Sequence, residues 1–230
     1  MITEHHIAVR RTARYFTLGE PSTAVRELWV VCHGYGQLAS SFLEAFVPIA
    51  APSRLVVAPE GLSRFYLDRT LGATDPPPRV GATWMTREDR EHEIADHVAY
   101  LDQLHDALCD RLGGWAADST GEARVKLHAL GFSQGVATVG RWMAYGRSRA
   151  AELVCWAGSF PPDVDLAALA PRLDGAVVTF VAGERDELAT WANAETQLRR
   201  FTDAGIAARL VRFPGGHRLD SATLASLAVS

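Results

Sequence analysis

Val125-Lys126-Leu127-His128-Ala129-Leu130-Gly131-Phe132-Ser133-Gln134-Gly135-Val136-Ala137-Thr138-Val139-Gly140-Arg141-Trp142-Met143 is the stretch that decides the fold. Residues 125–130 read as a strand and residues 136–143 as a helix, so the chain turns from one into the other through the G-x-S-x-G pattern at 131–135. A turn that sharp holds its serine in a strained backbone conformation and brings the flanking residues too close for side chains, which is the reason for Gly131 and Gly135. Ser133 is thereby pushed out of the sheet. Five residues with two glycines and a serine carry little information alone, and the flanking strand and helix give them their meaning.

Outward from this point, short apolar runs alternate with longer stretches of helical period, the pattern of a parallel sheet covered by helices. Buried strands are expected at 28–32, 55–58, 125–130, 153–156, 176–181 and 210–211. Residues 5–10 and 13–18 read as an antiparallel edge hairpin, which brings the expected count to eight strands. The clearest helix spans about 87–112, where Ile94, Val98, Leu101, Leu104, Leu108 and Leu112 form one stripe. Thr86 and Asp89 give it a capping-box start, and Gly113-Gly114 a left-handed stop. A second helix, about 188–204, places Leu188, Trp191, Leu198 and Phe201 on one face and ends at Gly205. The segment 60–83, with Gly61, Gly72, Gly81 and Pro76-Pro77-Pro78, is too long for a plain connection and is expected to form a loop over the active site.

Composition removes several classes of function. The chain has 230 residues, 48% hydrophobic and 22% charged, enough for one domain with a deep core and no need of staples. A formal charge of −4, with basic residues spread along the chain, gives no attraction for nucleic acid or a membrane surface. Lys126 is the one lysine among 23 basic residues, a bias that fits coding preference. Cys32, Cys109 and Cys155 have neither disulfide nor zinc-ligand spacing and read as buried thiols. No run approaches the ~18 apolar residues of a membrane span, and the amino terminus lacks a signal-peptide pattern, so a cytoplasmic protein is expected.

A serine hydroxyl is a poor nucleophile until a histidine takes its proton, and a carboxylate must orient that histidine. On a parallel sheet both should come from loops at the carboxyl ends of strands. Asp186 follows the strand 176–181, with Glu184 and Glu187 as rivals. His217 follows the last strand in Pro214-Gly215-Gly216-His217, a position that none of the other seven histidines shares. The order Ser133, Asp186, His217 is that of the α/β-hydrolase arrangement. After the strand 28–32 comes His33-Gly34-Tyr35-Gly36, whose glycines free backbone amides to face a developing oxyanion. The expected donors are the amides of Tyr35 and Gln134. His33 reads as a hydrogen bonder that organises this loop, not as a proton carrier.

With these residues in place, the chain resembles the phospholipase/carboxylesterase family of α/β-hydrolases, which includes acyl-protein thioesterases and bacterial broad-specificity esterases. The resemblance covers nearly all of residues 27–230 and rests on His33-Gly34-Tyr35-Gly36, the Phe132-Ser133-Gln134 core of the elbow, Asp186 and Pro214-Gly215-Gly216-His217. It implies hydrolysis of a carboxylic ester or thioester through an acyl-enzyme, with no cofactor or metal and no cap domain. Trp84-Met85 falls where the family often has a Trp-Phe-Asp segment lining the substrate groove, so the resemblance implies an acyl contact for Trp84, beside an equal reading of it as a core-packing residue. Val136 replaces a usual glycine, and Gly183-Glu184-Arg185-Asp186 replaces an Asp-Pro-type turn; both bear on acyl preference.

The expected partner is therefore a small acyl ester, acted on by a monomer or homodimer. Two other readings stand beside it. One is a binding protein that keeps the fold without the chemistry, which would have no need of all four motifs; the other is a peptidase, for which no extra domain that could filter peptides is visible.

Overall fold

A computed structural model describes residues 1–68, 77–113 and 124–229. Seven strands form the central sheet: β1 (Tyr15–Leu18), β2 (Glu27–Cys32), β3 (Arg54–Pro59), β6 (Lys126–Phe132), β7 (Glu152–Trp156), β8 (Val177–Gly183) and β9 (Ala208–Phe213). Their order is β1-β3-β2-β6-β7-β8-β9, parallel throughout except for β1, which runs antiparallel to β3. The remaining strands, β4 (Ser63–Tyr66) and β5 (Val80–Thr83), pair separately as an antiparallel ribbon. The helices are α1 (Ala39–Glu44), α2 (Arg90–Arg111), α3 (Gln134–Tyr145), α4 (Leu166–Leu169), α5 (Trp191–Asp203) and α6 (Ser221–Leu227).

The inner strands β2, β3 and β7 are mainly apolar and almost wholly buried because both of their faces are covered. In β2, Leu28, Val30 and Cys32 point into a core shared with Leu101 and Leu108 of α2 and Val139 and Trp142 of α3. Trp29 and Val31, one residue out of phase, point into the opposite core with Phe42 of α1 and Leu224 and Leu227 of α6. That alternation is the two-residue period of a strand, read between two hydrophobic layers. Burial pushes the Cys32 and Cys155 thiols up, and all three cysteines are buried core residues outside any disulfide. Among the described residues no helix is long and apolar enough to cross a membrane.

Several details depart from the sequence reading. There are seven strands in the main sheet, not eight, because residues 5–10 form no strand: Ile7 and Val9 are 87% and 79% exposed, and β1 finds its partner in β3 instead of in a preceding strand. Helix α2 starts at Arg90, not 87. Asp89 sits at φ 46° and does not cap it, while the Thr86 amide donates to Glu93 Oε2. Gly113 is left-handed (φ 85°) as expected; Gly114 lies outside the described residues. Helix α5 starts at Trp191 under a Thr190 cap, leaving Leu188 exposed, though Phe201 is fully buried and Gly205 ends the helix at φ 75°. Within 60–83 the described residues form the β4–β5 ribbon; Gly72 and Pro76 lie outside them.

Glu60 ties this ribbon and the amino-terminal segment to the sheet. Its buried carboxylate accepts from Arg14 Nε and Nη2 (2.7 and 3.0 Å), Arg64 Nε (2.6 Å) and the Ala39 amide (3.3 Å). Burial on its own pushes this carboxyl up, but those hydrogen bonds outweigh it and hold the group below its ordinary value. A depressed carboxyl stabilises the fold above its unfolded pKa, and the contribution fades as pH falls through the folded value. Glu60→Gln should therefore lower unfolding stability by about 2 kcal/mol at pH 7, with a wild-type advantage that shrinks below about pH 4.5, as read by urea titrations at both pH values.

Candidate active site

The order of the strands places the site. From β2 the chain moves outward on one side to β3, and β6 flanks β2 on the other, so the loops leaving β2 and β6 diverge at a topological switch point. Register puts Cys32 opposite Gly131, so the 33–37 loop and the 132–135 elbow leave the sheet at the same level.

At the elbow Ser133 has φ 53° and ψ −114°, a conformation that side chains rarely adopt, and it immediately precedes α3. Its amide donates to the Trp156 carbonyl (2.9 Å). The flanking glycines are required by close approach: a Cβ at Gly135 would meet the Cys32 carbonyl oxygen at 2.1 Å, and one at Gly131 the Gly135 carbonyl oxygen at 2.2 Å. The elbow is therefore seated directly on the end of β2.

His217 Nε2 lies 3.0 Å from Ser133 Oγ, and His217 Nδ1 lies 2.9 Å from Asp186 Oδ2. A carboxylate can only accept, so Nδ1 carries the hydrogen and Nε2 is free to accept the serine proton. The Asp186 side chain is fully buried, and its other oxygen accepts from the amides of Leu188 (2.9 Å) and Ala189 (2.8 Å). Phe132 packs against the imidazole at 5.0 Å, and Trp156 Nε1 donates to the Arg218 carbonyl (3.0 Å), fixing the loop that carries His217. All three expected side chains meet although they lie on loops after β6, β8 and β9. The rival carboxylates do not: Glu184 pairs with Arg212 at 3.4 Å, and Glu187 is exposed.

In the loop after β2, the Gly34 amide donates to Gln37 Oε1 (2.7 Å), the Gly36 amide to the Ala82 carbonyl (2.9 Å) and the Gln37 amide to the Gly34 carbonyl (3.2 Å). Among the described residues the Tyr35 amide has no such acceptor. Gln134 is the first residue of α3, so its amide is one of those a helix leaves unused. A Cβ at Gly34 would lie 3.2 Å from Ser133 Cβ, which measures how closely this loop flanks the serine. The Tyr35 ring itself is 61% exposed and rests on Phe65 of β4.

His33 is fully buried, with Nδ1 2.8 Å from the Gly34 carbonyl and Nε2 accepting from the Gly61 amide at 3.0 Å. Those partners require a neutral ring, and burial lowers its pKa to match. Both contacts tie the ring to its own loop and to the segment that leaves β3. Trp84 is a correction. At 3% exposure, with Nε1 donating to the His33 carbonyl (2.9 Å), it packs behind the loop as a brace and does not line an open groove. Sequence reasoning also missed the Gln134 side chain, which donates to Thr83 Oγ1 and the Met85 carbonyl (both 2.9 Å) and accepts from the Trp84 amide (3.2 Å). These contacts span about fifty residues, and nothing local announces them.

No protein-family model and no curated protein matches the sequence. Solved structures do. A carboxylesterase from Mesorhizobium loti is 19% identical with a TM-score of 0.67, covering 95% of each chain. A carboxylesterase from Bacillus cereus is 15% identical with a TM-score of 0.65, covering 94% of this chain and 92% of its own. Acyl-protein thioesterase 2 from Zea mays is 16% identical with a TM-score of 0.65, covering 95% of this chain and 97% of its own. What this chain has in common with them is the α/β-hydrolase fold.

Proposed function

We propose that the protein is a serine hydrolase that cleaves carboxylic esters or thioesters through an acyl-enzyme on Ser133. The observation that carries this is the continuous relay from Asp186 Oδ2 through His217 to Ser133 Oγ, with contacts of 2.9 and 3.0 Å. The solved structures named as carboxylesterases and as an acyl-protein thioesterase share its fold and favour the same reading.

In the first half-reaction His217 Nε2 takes the Ser133 proton as Oγ attacks the acyl carbonyl carbon. The negative charge passes to the carbonyl oxygen, which the amides of Tyr35 and Gln134 receive. As the tetrahedral intermediate collapses, the proton on Nε2 moves to the departing alcohol or thiol, leaving the acyl group on Oγ. Water then attacks the acyl carbonyl carbon as His217 takes one of its protons, and collapse of this second intermediate breaks the bond to Oγ, releases the carboxylic acid and returns the proton to Oγ. Asp186 holds the imidazole by Nδ1–H and stabilises the imidazolium of each intermediate. No step calls on a cofactor.

A p-nitrophenyl ester series tests this reading. Ser133→Ala should abolish turnover together with labelling by a fluorophosphonate, and wild-type turnover by this variant would end the proposal. A folded wild-type chain that takes no fluorophosphonate label would favour a binding role without chemistry. Asp186→Asn should lower kcat by about 10⁴-fold through loss of the productive tautomer, whereas Glu184→Gln should leave kcat within about twofold of wild type. The reverse pattern would move the acid role to Glu184.

A further inference from the structure

Away from the catalytic relay, His6, Asp89 and His92 converge on one point. His6 precedes β1, whereas Asp89 and His92 bracket the first turn of α2, so the three are brought together by the fold. Asp89 Oδ1 lies 2.7 Å from His92 Nδ1 and 3.3 Å from His6 Nε2, and the three donor atoms all fall within 4.8 Å of one another. The two imidazoles stack with centroids 4.1 Å apart and planes at 25°. Glu4 Oε1 is 3.4 Å from the same nitrogen of His6.

We propose that these residues form a surface site for a divalent d-block cation of the zinc class, held by His6 Nε2, His92 Nδ1 and Asp89 Oδ1, with water or Glu4 completing the shell. Bond lengths of about 2.0–2.2 Å place ligand atoms about 2.9 Å apart at a right angle and about 3.4 Å apart in a tetrahedron. The separations from Asp89 Oδ1, 2.7 Å to His92 Nδ1 and 3.3 Å to His6 Nε2, lie within about 0.2 Å of the right-angle and tetrahedral values respectively. Two imidazoles and one carboxylate are the donor set that suits zinc, nickel and copper more than calcium or magnesium. Asp89 adds an independent indication. An aspartate ahead of a helix ordinarily turns its carboxylate onto the first amides, yet here it makes no cap bond and adopts φ 46°, facing the two imidazoles instead. With neutral histidines the set carries one negative charge, and Glu4, Glu88 and Glu91 lie nearby in sequence to balance a dication. Bound metal would tie the exposed amino-terminal arm to the start of α2.

The test uses the untagged chain and Co²⁺, whose visible absorption reports ligation, followed by Zn²⁺ in competition with a chromophoric chelator. One ion per chain is expected. His6→Ala, His92→Ala and Asp89→Asn should each weaken binding by more than about tenfold, since even loss of an outer partner costs about 10–100-fold. His5→Ala should bind as wild type does. An absence of cobalt absorption in the wild-type chain overturns the proposal without any variant. So does equal affinity in the His92→Ala chain, or a loss that follows His5 in place of His6. All four positions are exposed and none shares a hydrogen bond, ion pair or ring contact with Ser133, His217 or Asp186, so ester turnover of each variant should match wild type, which separates failure here from failure of the hydrolase reading.

Discussion

The constraint on which the site depends is the contact between the elbow and the end of β2. Ser133 holds a backbone conformation that costs about 1–3 kcal/mol wherever it occurs, so the surroundings must over-determine it. They do so through contacts with almost no clearance. Gly135 approaches the Cys32 carbonyl so closely that a single methyl would collide at 2.1 Å, and the Ser133 amide is held by Trp156 from the neighbouring strand. The serine is therefore fixed by the two strands on either side of β6, both parallel to it and both buried. A parallel sheet supplies that rigidity because its strands cannot slip without exposing an apolar face.

Trp156 extends the same constraint to the other half of the relay. Its carbonyl holds the Ser133 amide while its indole holds the Arg218 carbonyl, next to His217. One residue of β7 thus spaces Ser133 and His217. Asp186 is held differently, by burial and by two amides on one carboxylate oxygen, which leaves the other free for His217. On the far side of the serine, the Gln134 side chain grips residues 83–85, and Trp84 in turn grips the His33 carbonyl. The elbow, the 33–37 loop and the end of β5 form one hydrogen-bonded unit.

What could be read from the sequence was whatever a short span of residues dictates. The strand–elbow–helix at 125–143 needs its glycines locally, and the loops bearing Asp186 and His217 are defined by their place after apolar strands, so these were legible. Residues 5–10 misled because Ile7 and Val9 alternate like a strand, yet no neighbour offers them a face to bury, while Tyr15–Leu18 finds one on β3. Asp89 looked like part of a capping box because capping is a four-residue pattern; its carboxylate answers to His6, more than eighty residues earlier. Trp84 looked like a groove residue by its position in a motif, but only the tertiary arrangement shows that its indole reaches the His33 carbonyl.

The ribbon of β4 and β5 illustrates how a stretch that breaks the sequence rhythm can still be tightly held. Gly81 lies so near Gly36 that a Cβ there would meet the Gly36 carbonyl oxygen at 2.4 Å, and the Ala82 carbonyl accepts the Gly36 amide. Glu60 fastens the ribbon's first strand through Arg64 and the amino-terminal segment through Arg14. Donors that stabilise a developing charge act best when they need no rearrangement at the moment of reaction. Here the amide of Tyr35 sits between two neighbours, Gly34 and Gly36, whose own amides are already committed to Gln37 and Ala82. Fixing the neighbours fixes the orientation of the peptide between them. The β4–β5 ribbon therefore contributes first to holding the 33–37 loop, and its Phe65 ring, against the exposed Tyr35, places an aromatic surface beside the same loop.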